Sequence, residues 1–204
     1  MSTENKLGLV VDVETTGLGP DSDEIIELAV KLFSFHEESG EIIDILDEDS
    51  YLREPLSITA QRNYDRAYRI HGIHYDMVRG KTFYDEKIMN YFNRTDAIFA
   101  HNASFDRSFL FRMYPEVNEM KWYCTMKNVQ WKNHGFPNSK LLTLLQAHNI
   151  SKFQTHRAMD DITYLTELLK QQNPNGDYYL KEVLDYGPMR KYQPAQKQRR
   201  RMFY

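Results

Sequence analysis

The sequence has one cysteine and no long apolar run. The single thiol, Cys124, excludes a disulfide framework and a zinc site built mainly on thiolates. No apolar stretch approaches the roughly 20 residues that span a bilayer. Residues 1–6 are polar, so no secretory signal is expected either. These absences predict a cytoplasmic protein without a membrane partner.

A strong net charge is also missing. The 204 residues carry a formal charge of −3, with 27% charged and 41% hydrophobic residues, which excludes a disordered or low-complexity chain. Taken whole, this balance argues against nucleic acid as a ligand, because nucleic-acid-binding proteins commonly carry excess basic charge. The charge is segregated, however: residues 186–204 carry +6 and no acid, which leaves −9 elsewhere.

The hydrophobic pattern predicts one compact domain over residues 1–172 and a C-terminal extension over 173–204. The basic tail of the extension is either disordered or contacts phosphates through Arg199, Arg200 and Arg201. Predicted strands cover 6–13, 25–35, 41–52, 97–100 and 122–125, and predicted helices cover 57–70, 82–93 and 103–114, with further helices after residue 139. Hairpin strands followed by alternating strands and helices predict an α/β fold with a mixed sheet flanked by helices.

Two acids end the first strand, where a buried sheet would tolerate them poorly. Asp12 and Glu14 follow the apolar run 9–11, and residues two apart in a strand project from the same face. Buried carboxylates are costly unless they are paired or bind metal. A solvated edge strand is the alternative explanation, but the apolar run favours a central strand and therefore a functional site.

Two further acids lie on apolar helix faces. Asp106 shares a helical stripe with Phe109 and Leu110, although a simple helix N-terminal acid is the alternative. At 100° per residue, Asp161 lies about 60° from the centre of the stripe that contains Ile162, whereas Asp160 lies about 160° away. The pattern predicts that Asp161 points inward and that Asp160 faces water.

These three segments together resemble a known family. Residues 12–18 (DVETTGL), residues 101–106 (HNASFD) and His156 with Asp161 five residues on are similar to the three motifs of the DnaQ-like DEDDh 3′–5′ exonucleases, over about 6–170. Within the family, the segments 100–107 and 122–127 resemble the bacterial exodeoxyribonuclease X branch, and the proofreading epsilon subunit of DNA polymerase III is the next comparison. The resemblance implies a ribonuclease-H-like sheet whose first three strands are antiparallel and whose later strands are parallel.

The implied chemistry is hydrolysis of phosphodiester bonds from a 3′ end with release of 5′-mononucleotides. Four carboxylates suit two hard cations, Mg²⁺ or Mn²⁺, and paired ions stabilise the attacking and leaving oxygens of an in-line displacement. His156 is expected to be the general base, because histidine is the side chain most often used for this role near neutral pH. The expected metal ligands are Asp12, Glu14, Asp106 and Asp161.

The resemblance also implies substrate contacts. Thr15 and Glu14 are expected near the terminal 3′-hydroxyl, and Leu18 is expected to wedge against the terminal base. The full set of expected contact residues is Thr15, Thr16, Gly17, Leu18, His71, His101, Asn102, Ala103 and Phe105. For His71 and His101, a purely structural hydrogen-bonding role is the alternative. The expected ligand is the 3′ end of single-stranded or frayed DNA, with a polymerase or repair protein as a further partner.

The motifs leave three functions open. An exodeoxyribonuclease active in DNA repair or replication is the leading hypothesis. An exoribonuclease of the same fold uses the same phosphate chemistry, so the motifs do not separate the two. A polymerase-associated proofreading or accessory subunit is the third. A module without catalysis would be expected to lack one of the acids or His156, and all five are present.

Overall fold

A computed structural model describes residues 5–194. The strands are β1 (Lys6–Thr15), β2 (Ile25–Phe35), β3 (Ile42–Leu52), β4 (Ala97–Ala100) and β5 (Trp122–Cys124). The helices are α1 (Ile58–His71), α2 (Tyr75–Val78), α3 (Asp85–Arg94), α4 (Ala103–Met113), α5 (Thr125–Asn128), α6 (Leu141–Ala147), α7 (Ala158–Leu169) and α8 (Tyr179–Tyr186), with a 3₁₀ helix at Pro115–Glu119. Each predicted strand and helix is present, with bounds shifted by a few residues at most.

The five strands form one mixed sheet in the order β3-β2-β1-β4-β5. β1 pairs antiparallel with β2, and β2 pairs antiparallel with β3. β4 joins β1 in parallel on the other side, and β5 follows β4 in parallel. The predicted mixed sheet is therefore confirmed, and β1 is its central strand rather than an edge.

Alternate side chains of β1 pack into two buried clusters, one on each face of the sheet. Leu9, Val11 and Val13 pack on one face, together with residues of α3 and α4. Val10 packs on the other face, with residues of α7 and α8. Because the side-chain period of a strand is two, Asp12 and Glu14 share the face of Val10. The two acids therefore lie under the N-terminal end of α7.

The two hairpin strands differ sharply in burial. All eleven residues of β2 are buried, because β2 lies between two strands and is covered by helices. β3 is the edge strand, and residues 43–48 are exposed on both faces, where the sequence predicts only one solvated face. The aromatic residues predicted for the core, Phe33, Phe35, Tyr91 and Phe92, are buried, as is Cys124.

Part of the predicted C-terminal extension packs on the domain. Tyr179, Leu180 and Val183 of α8 are buried in the same cluster as α7. The backbone N–H of Met189 donates to the Trp122 carbonyl at 2.7 Å, on the free edge of β5. Arg199, Arg200 and Arg201 lie outside the described residues. Within residues 5–194, no helix is long and apolar enough to cross a membrane.

Candidate active site

The C-terminal end of β1 presents the first two acids. Asp12 and Glu14 are half-buried on the face covered by α7. The register with β2 shifts between Glu14 and Thr15, which forms a β-bulge. Bulges of this kind redirect side chains and end strand pairing next to functional sites. Here the bulge separates the acid pair from the turn that follows it.

α4 supplies the third acid. Its first turn follows Asn102, which has a left-handed backbone conformation with φ of 71°. Asp106 is 2% exposed, and its Oδ1 accepts the backbone N–H of Val13 at 3.2 Å. This hydrogen bond joins α4 directly to β1 between Asp12 and Glu14. Asp106 is therefore a buried acid tied to β1 and not a solvated helix terminus.

α7 supplies the fourth acid and separates it from its neighbour. Asp161 is 5% exposed, whereas Asp160 is half-buried and accepts a hydrogen bond from the Thr155 hydroxyl at 2.7 Å. Gln154 Nε2 donates to Asp161 Oδ2 at 2.5 Å, and the other oxygen, Oδ1, is buried without a partner. The inward orientation predicted for Asp161 from helical periodicity agrees with this burial.

His156 completes the cluster. It has φ of 53°, a left-handed conformation that is uncommon for a residue with a side chain. One ligand atom each from Glu14, His156 and Asp161 lie within 4.8 Å of one another. The structure thus brings together residues that are more than 140 positions apart in the sequence.

Burial raises the pKa of all four acids, and repulsion between carboxylates adds to this effect at Asp12 and Glu14. Burial and the charges of Asp161 and Glu27 raise the pKa of Glu14 to about 9. Burial and the charges of Asp106 and Glu14 raise the pKa of Asp12 well above its usual range. Burial raises the pKa of Asp106 to about 7 and that of Asp161 to about 6. Such mutual repulsion is relieved when a cation binds.

The donor set fits divalent cations. It is made of carboxylate oxygens, which hard ions such as Mg²⁺ prefer, with one imidazole alongside. The unpaired, buried Oδ1 of Asp161 is an acceptor without a protein donor, as expected of a ligand atom. Ligand atoms of Glu14, Asp161 and His156 lie close enough to share one ion. Asp12 and Asp106 stay predicted ligands, and the charges of Asp106, Glu14 and Asp161 act on Asp12.

A cavity of about 350 Å³ opens beside the acids. Glu14, Leu18, His71 and Phe105 line it, together with the turn residues Thr15, Thr16 and Gly17. Leu18 is 81% exposed, although it is a large apolar side chain. The contact between Leu18 and a base stays a prediction.

His71 presents a single ring donor to the protein interior. Its Nδ1 accepts the backbone N–H of Ile73 at 2.9 Å, which leaves the proton on Nε2. Nε2 is buried without a partner, and burial lowers the pKa of His71 to about 4, so the ring is neutral. His71 also lines the cavity, and a hydrogen bond from Nε2 to a ligand there stays a prediction.

The three remaining predicted contact residues differ in exposure and in hydrogen bonding. Asn102 is exposed beside the site, whereas the Ala103 side chain is fully buried at the start of α4. Both ring nitrogens of His101 have partners, the Thr125 hydroxyl at 2.9 Å and the Ser139 carbonyl at 2.8 Å. None of these three lines the cavity. Because both ring nitrogens of His101 bond within the protein, the structure favours the alternative that His101 has a purely structural role.

Sequence reasoning missed four residues of the site. Glu27 of β2 is 1% exposed and pairs with Arg157, and Gln154 donates to Asp161. Arg66 of α1 is an exposed cation that lines the cavity. No local pattern marks Glu27, because an acid within a strand normally indicates a solvated face. Arg157 directly follows His156, so its position in the motif was the one available signal.

Known proteins are similar to this chain in sequence. The exonuclease family model RNase_T matches residues 9–169, which include the four acids and His156. The PolC-type DNA polymerase III of Listeria monocytogenes serovar 1/2a is 34% identical over 168 residues, 79% of this chain and 11% of the polymerase. The PolC-type DNA polymerase III of Bacillus subtilis (strain 168) is 32% identical over 192 residues, 88% of this chain and 12% of the polymerase. The chain thus spans about a tenth of the length of these relatives.

Known structures are similar in fold. Exonuclease I of E. coli in complex with a dA16 oligonucleotide has a TM-score of 0.64 at 17% identity, over 81% of this chain and 40% of that one. A 3′-exonuclease that recognises a histone mRNA stem-loop has a TM-score of 0.60 at 17% identity, over 81% of this chain and 62% of that one. The similarity to the exodeoxyribonuclease X branch stays a prediction. The chain belongs to the DnaQ-like exonuclease family, and its domain is a nuclease domain of ribonuclease-H-like fold.

Proposed function

We propose that this chain is a metal-dependent 3′–5′ exonuclease that shortens DNA from its 3′ end and releases 5′-mononucleotides. The observation that carries the proposal is the convergence of Glu14, Asp161 and His156 within 4.8 Å, with Asp161 Oδ1 buried and unpaired. The family supports nuclease chemistry, and the acids supply the ligands that such chemistry needs.

Asp12, Glu14, Asp106 and Asp161 would hold two divalent cations, Mg²⁺ or Mn²⁺. When bound, these ions supply positive charge for the phosphate and lower the pKa of water. The protein's own contribution is to fix the carboxylates in advance: β1 carries two of them, and the hydrogen bond from Val13 holds Asp106 at 3.2 Å. Two of the four proposed ligands thus lie on one strand, and a third is tied to that strand.

His156 is proposed as the general base. Its ring lies beside the carboxylates of Glu14 and Asp161, where a water attacking the terminal phosphodiester would also lie. Histidine is the side chain that most often serves as a general base, and its imidazole can accept a proton from that water. The bond between phosphorus and the 3′ oxygen of the preceding nucleotide then breaks, which releases the terminal nucleotide with its 5′-phosphate.

The cavity would receive the terminal nucleotide. Leu18 would contact the terminal base, Phe105 would pack on the base or sugar, and His71 Nε2 would donate to a nucleotide oxygen. The exposed side chain of Leu18 favours a single-stranded or frayed end, because an intact base pair would have to open around it. Positive charge at a local metal centre also explains how a protein with a net charge of −3 can bind nucleic acid.

Digestion of matched 5′-labelled oligonucleotides in Mg²⁺ or Mn²⁺ tests the proposal. We expect single-stranded DNA to be shortened from the 3′ end, and EDTA to stop the reaction. Asp161→Asn should lower the rate more than about 100-fold, and His156→Ala should also abolish most turnover. Asp160→Asn is the matched control, since it removes the same charge one residue away and keeps an acceptor for Thr155.

Three outcomes would contradict parts of the proposal. Equal activity of Asp161→Asn and Asp160→Asn would overturn the site. Mononucleotides released from the 5′ end would overturn the direction. Rapid loss of RNA with intact DNA would replace the exodeoxyribonuclease by an exoribonuclease. Because the relatives are PolC-type polymerases, co-purification with a replicative polymerase tests the further proposal of a proofreading partner.

A further inference from the structure

The buried carboxylate of Glu27 is not used by the proposed reaction. It lies on β2 directly opposite Glu14 in the strand register and is 1% exposed. Arg157 Nη2 donates to Glu27 Oε1 at 2.8 Å, and Arg157 Nε donates to Oε2 at 3.1 Å. The backbone N–H of Ala158, the first residue of α7, donates to the same Oε2 at 3.1 Å.

Glu27 differs from Asp161, a proposed metal ligand, because both of its carboxylate oxygens already accept hydrogen bonds. Each of its oxygens accepts at least one hydrogen bond from the segment that opens α7, whereas Asp161 Oδ1 has no partner. A bidentate pair of this kind fixes direction as well as distance. Glu27 is therefore an anchor for α7 and not a further ligand.

The anchored segment carries His156. Residues 148–157 connect α6 to α7, and His156 directly precedes Arg157 with φ of 53°. A residue with a side chain keeps this strained conformation only where its surroundings hold it. The Glu27–Arg157 pair ties the following residue to β2, and β2 is paired in register with the strand that carries Glu14.

The pair also balances charge across the two strands. Like charges on directly opposite residues of an antiparallel pair repel each other, and Glu14 and Glu27 are such residues. The guanidinium of Arg157 lies against Glu27 and offsets its charge. The β1–β2 register can therefore keep both acids next to the site.

We propose that the Glu27–Arg157 ion pair is a positioning device that holds His156 and the start of α7 against Glu14 in the arrangement needed for catalysis. Neither residue touches substrate in this role. The kinetic part of the inference rests on the proposed exonuclease function. The structural part, that the pair pins residues 148–157 to the sheet, does not.

A second ion pair provides a matched control. Arg53 Nη1 donates to Glu24 Oε2 at 2.7 Å, and Glu24 also accepts the backbone N–H groups of Leu56 and Ser57 before α1. Both side chains of this pair are 18% exposed. Glu24 thus anchors a helix start with the same chemistry three residues from Glu27. The helix carries the cavity residues Arg66 and His71, but no residue proposed as a metal ligand or general base.

Steady-state kinetics on single-stranded DNA separate positioning from stability. Arg157→Ala should lower kcat about 100-fold while KM changes less than about threefold, as expected when reacting groups are misplaced by about 1 Å. Arg157→Lys should recover part of kcat, because lysine keeps the charge but not the bidentate geometry. Arg53→Ala should lower kcat less than about threefold. Equal losses of kcat in Arg157→Ala and Arg53→Ala would overturn the inference.

A double variant keeps the test valid if Arg157→Ala folds poorly. Glu27→Gln combined with Arg157→Ala removes the buried charge together with its partner, so the fold should be recovered. We expect its kcat to remain low, because the anchor is still missing. Wild-type kcat in a folded double variant would overturn the positioning role.

Limited proteolysis tests the anchor without any nuclease activity. Phe153 lies in the pinned segment and is 64% exposed, so chymotrypsin cleavage after it reports local opening. Arg157→Ala should be cleaved there about ten times faster than the wild type, and Arg53→Ala should not. Equal cleavage in all three proteins would overturn the inference. If the wild type digests no nucleic acid, the proposed function fails, and the cleavage rates still decide the anchor.

Discussion

Without divalent cations, the protein should lose stability as the pH rises from 6 to 8. The pKa of Glu14 is raised from 4.5 to about 9 in the folded protein. Between these values the native state holds a proton that the unfolded chain has lost, so the free energy of unfolding falls with rising pH. One such group costs about 1.4 kcal/mol per pH unit, or about 3 kcal/mol over this interval. Asp106, with a pKa of about 7, adds roughly 1 kcal/mol.

The combined loss of about 4 kcal/mol corresponds to a midpoint about 8–16 °C lower at pH 8 than at pH 6, for a domain of this size. Thermal unfolding in EDTA, followed by circular dichroism at several pH values, measures it. Excess Mg²⁺ should stabilise the protein by about 3 kcal/mol at a hundred times its dissociation constant. Mg²⁺ should also remove the decline with pH, because deprotonated carboxylates bind the ion.

Two matched variants test whether Glu14 causes the pH dependence of stability. Glu14→Gln should remove most of the pH dependence in EDTA and leave the smaller part that belongs to Asp106, whereas Asp160→Asn should keep most of it. A midpoint in EDTA that is constant or rises from pH 6 to pH 8 would refute the reasoning. So would an equal decline with and without Mg²⁺, since the acids would then not form the cation site.

Three further predictions concern single side chains. Leu18→Ala should slow digestion of blunt duplex ends more than digestion of single strands, because the exposed side chain would no longer separate the terminal base from its partner. Equal losses of rate in the two assays would contradict that role. Ile162→Ala should lower the free energy of unfolding in urea by about 2–5 kcal/mol, since Ile162 is fully buried under the sheet; a loss below about 1 kcal/mol would contradict its burial. His101→Ala should cost about 1–3 kcal/mol of stability by removing the partners of Thr125 and Ser139, while a fall in kcat at unchanged stability would instead indicate a substrate contact.

The order of secondary structure followed from local patterns. The apolar run of β1, the polar turn after it and the stripe of α7 each reflect a period of two or 3.6 residues, which neighbouring residues decide. The same periodicity distinguished Asp161 from Asp160, and the structure buries the first more deeply than the second. The resemblance added the expected roles of the acids and His156, because the motif residues keep their order along the chain.

Local periodicity did not predict the burial of residues whose bonding partners lie far away in the sequence. Glu27 and Lys31 are charged residues in a strand and would indicate a solvated face, yet both are buried. Arg157, which bonds to Glu27, and Thr163, which bonds to Lys31, lie 130 and 132 residues away in the sequence. Only the packing of α7 across β1 and β2 brings these groups into contact.

The sequence by itself determined the fold class and which acids form the candidate site. The tertiary structure decided how those acids interact: Glu27 pairs with Arg157, Val13 donates to Asp106, and Asp161 keeps one oxygen unpaired. The physical reason is that these interactions join residues far apart in the sequence. Periodicity records whether a side chain faces the core, but ion pairs, buried donors and raised pKa values depend on which other elements approach the same face.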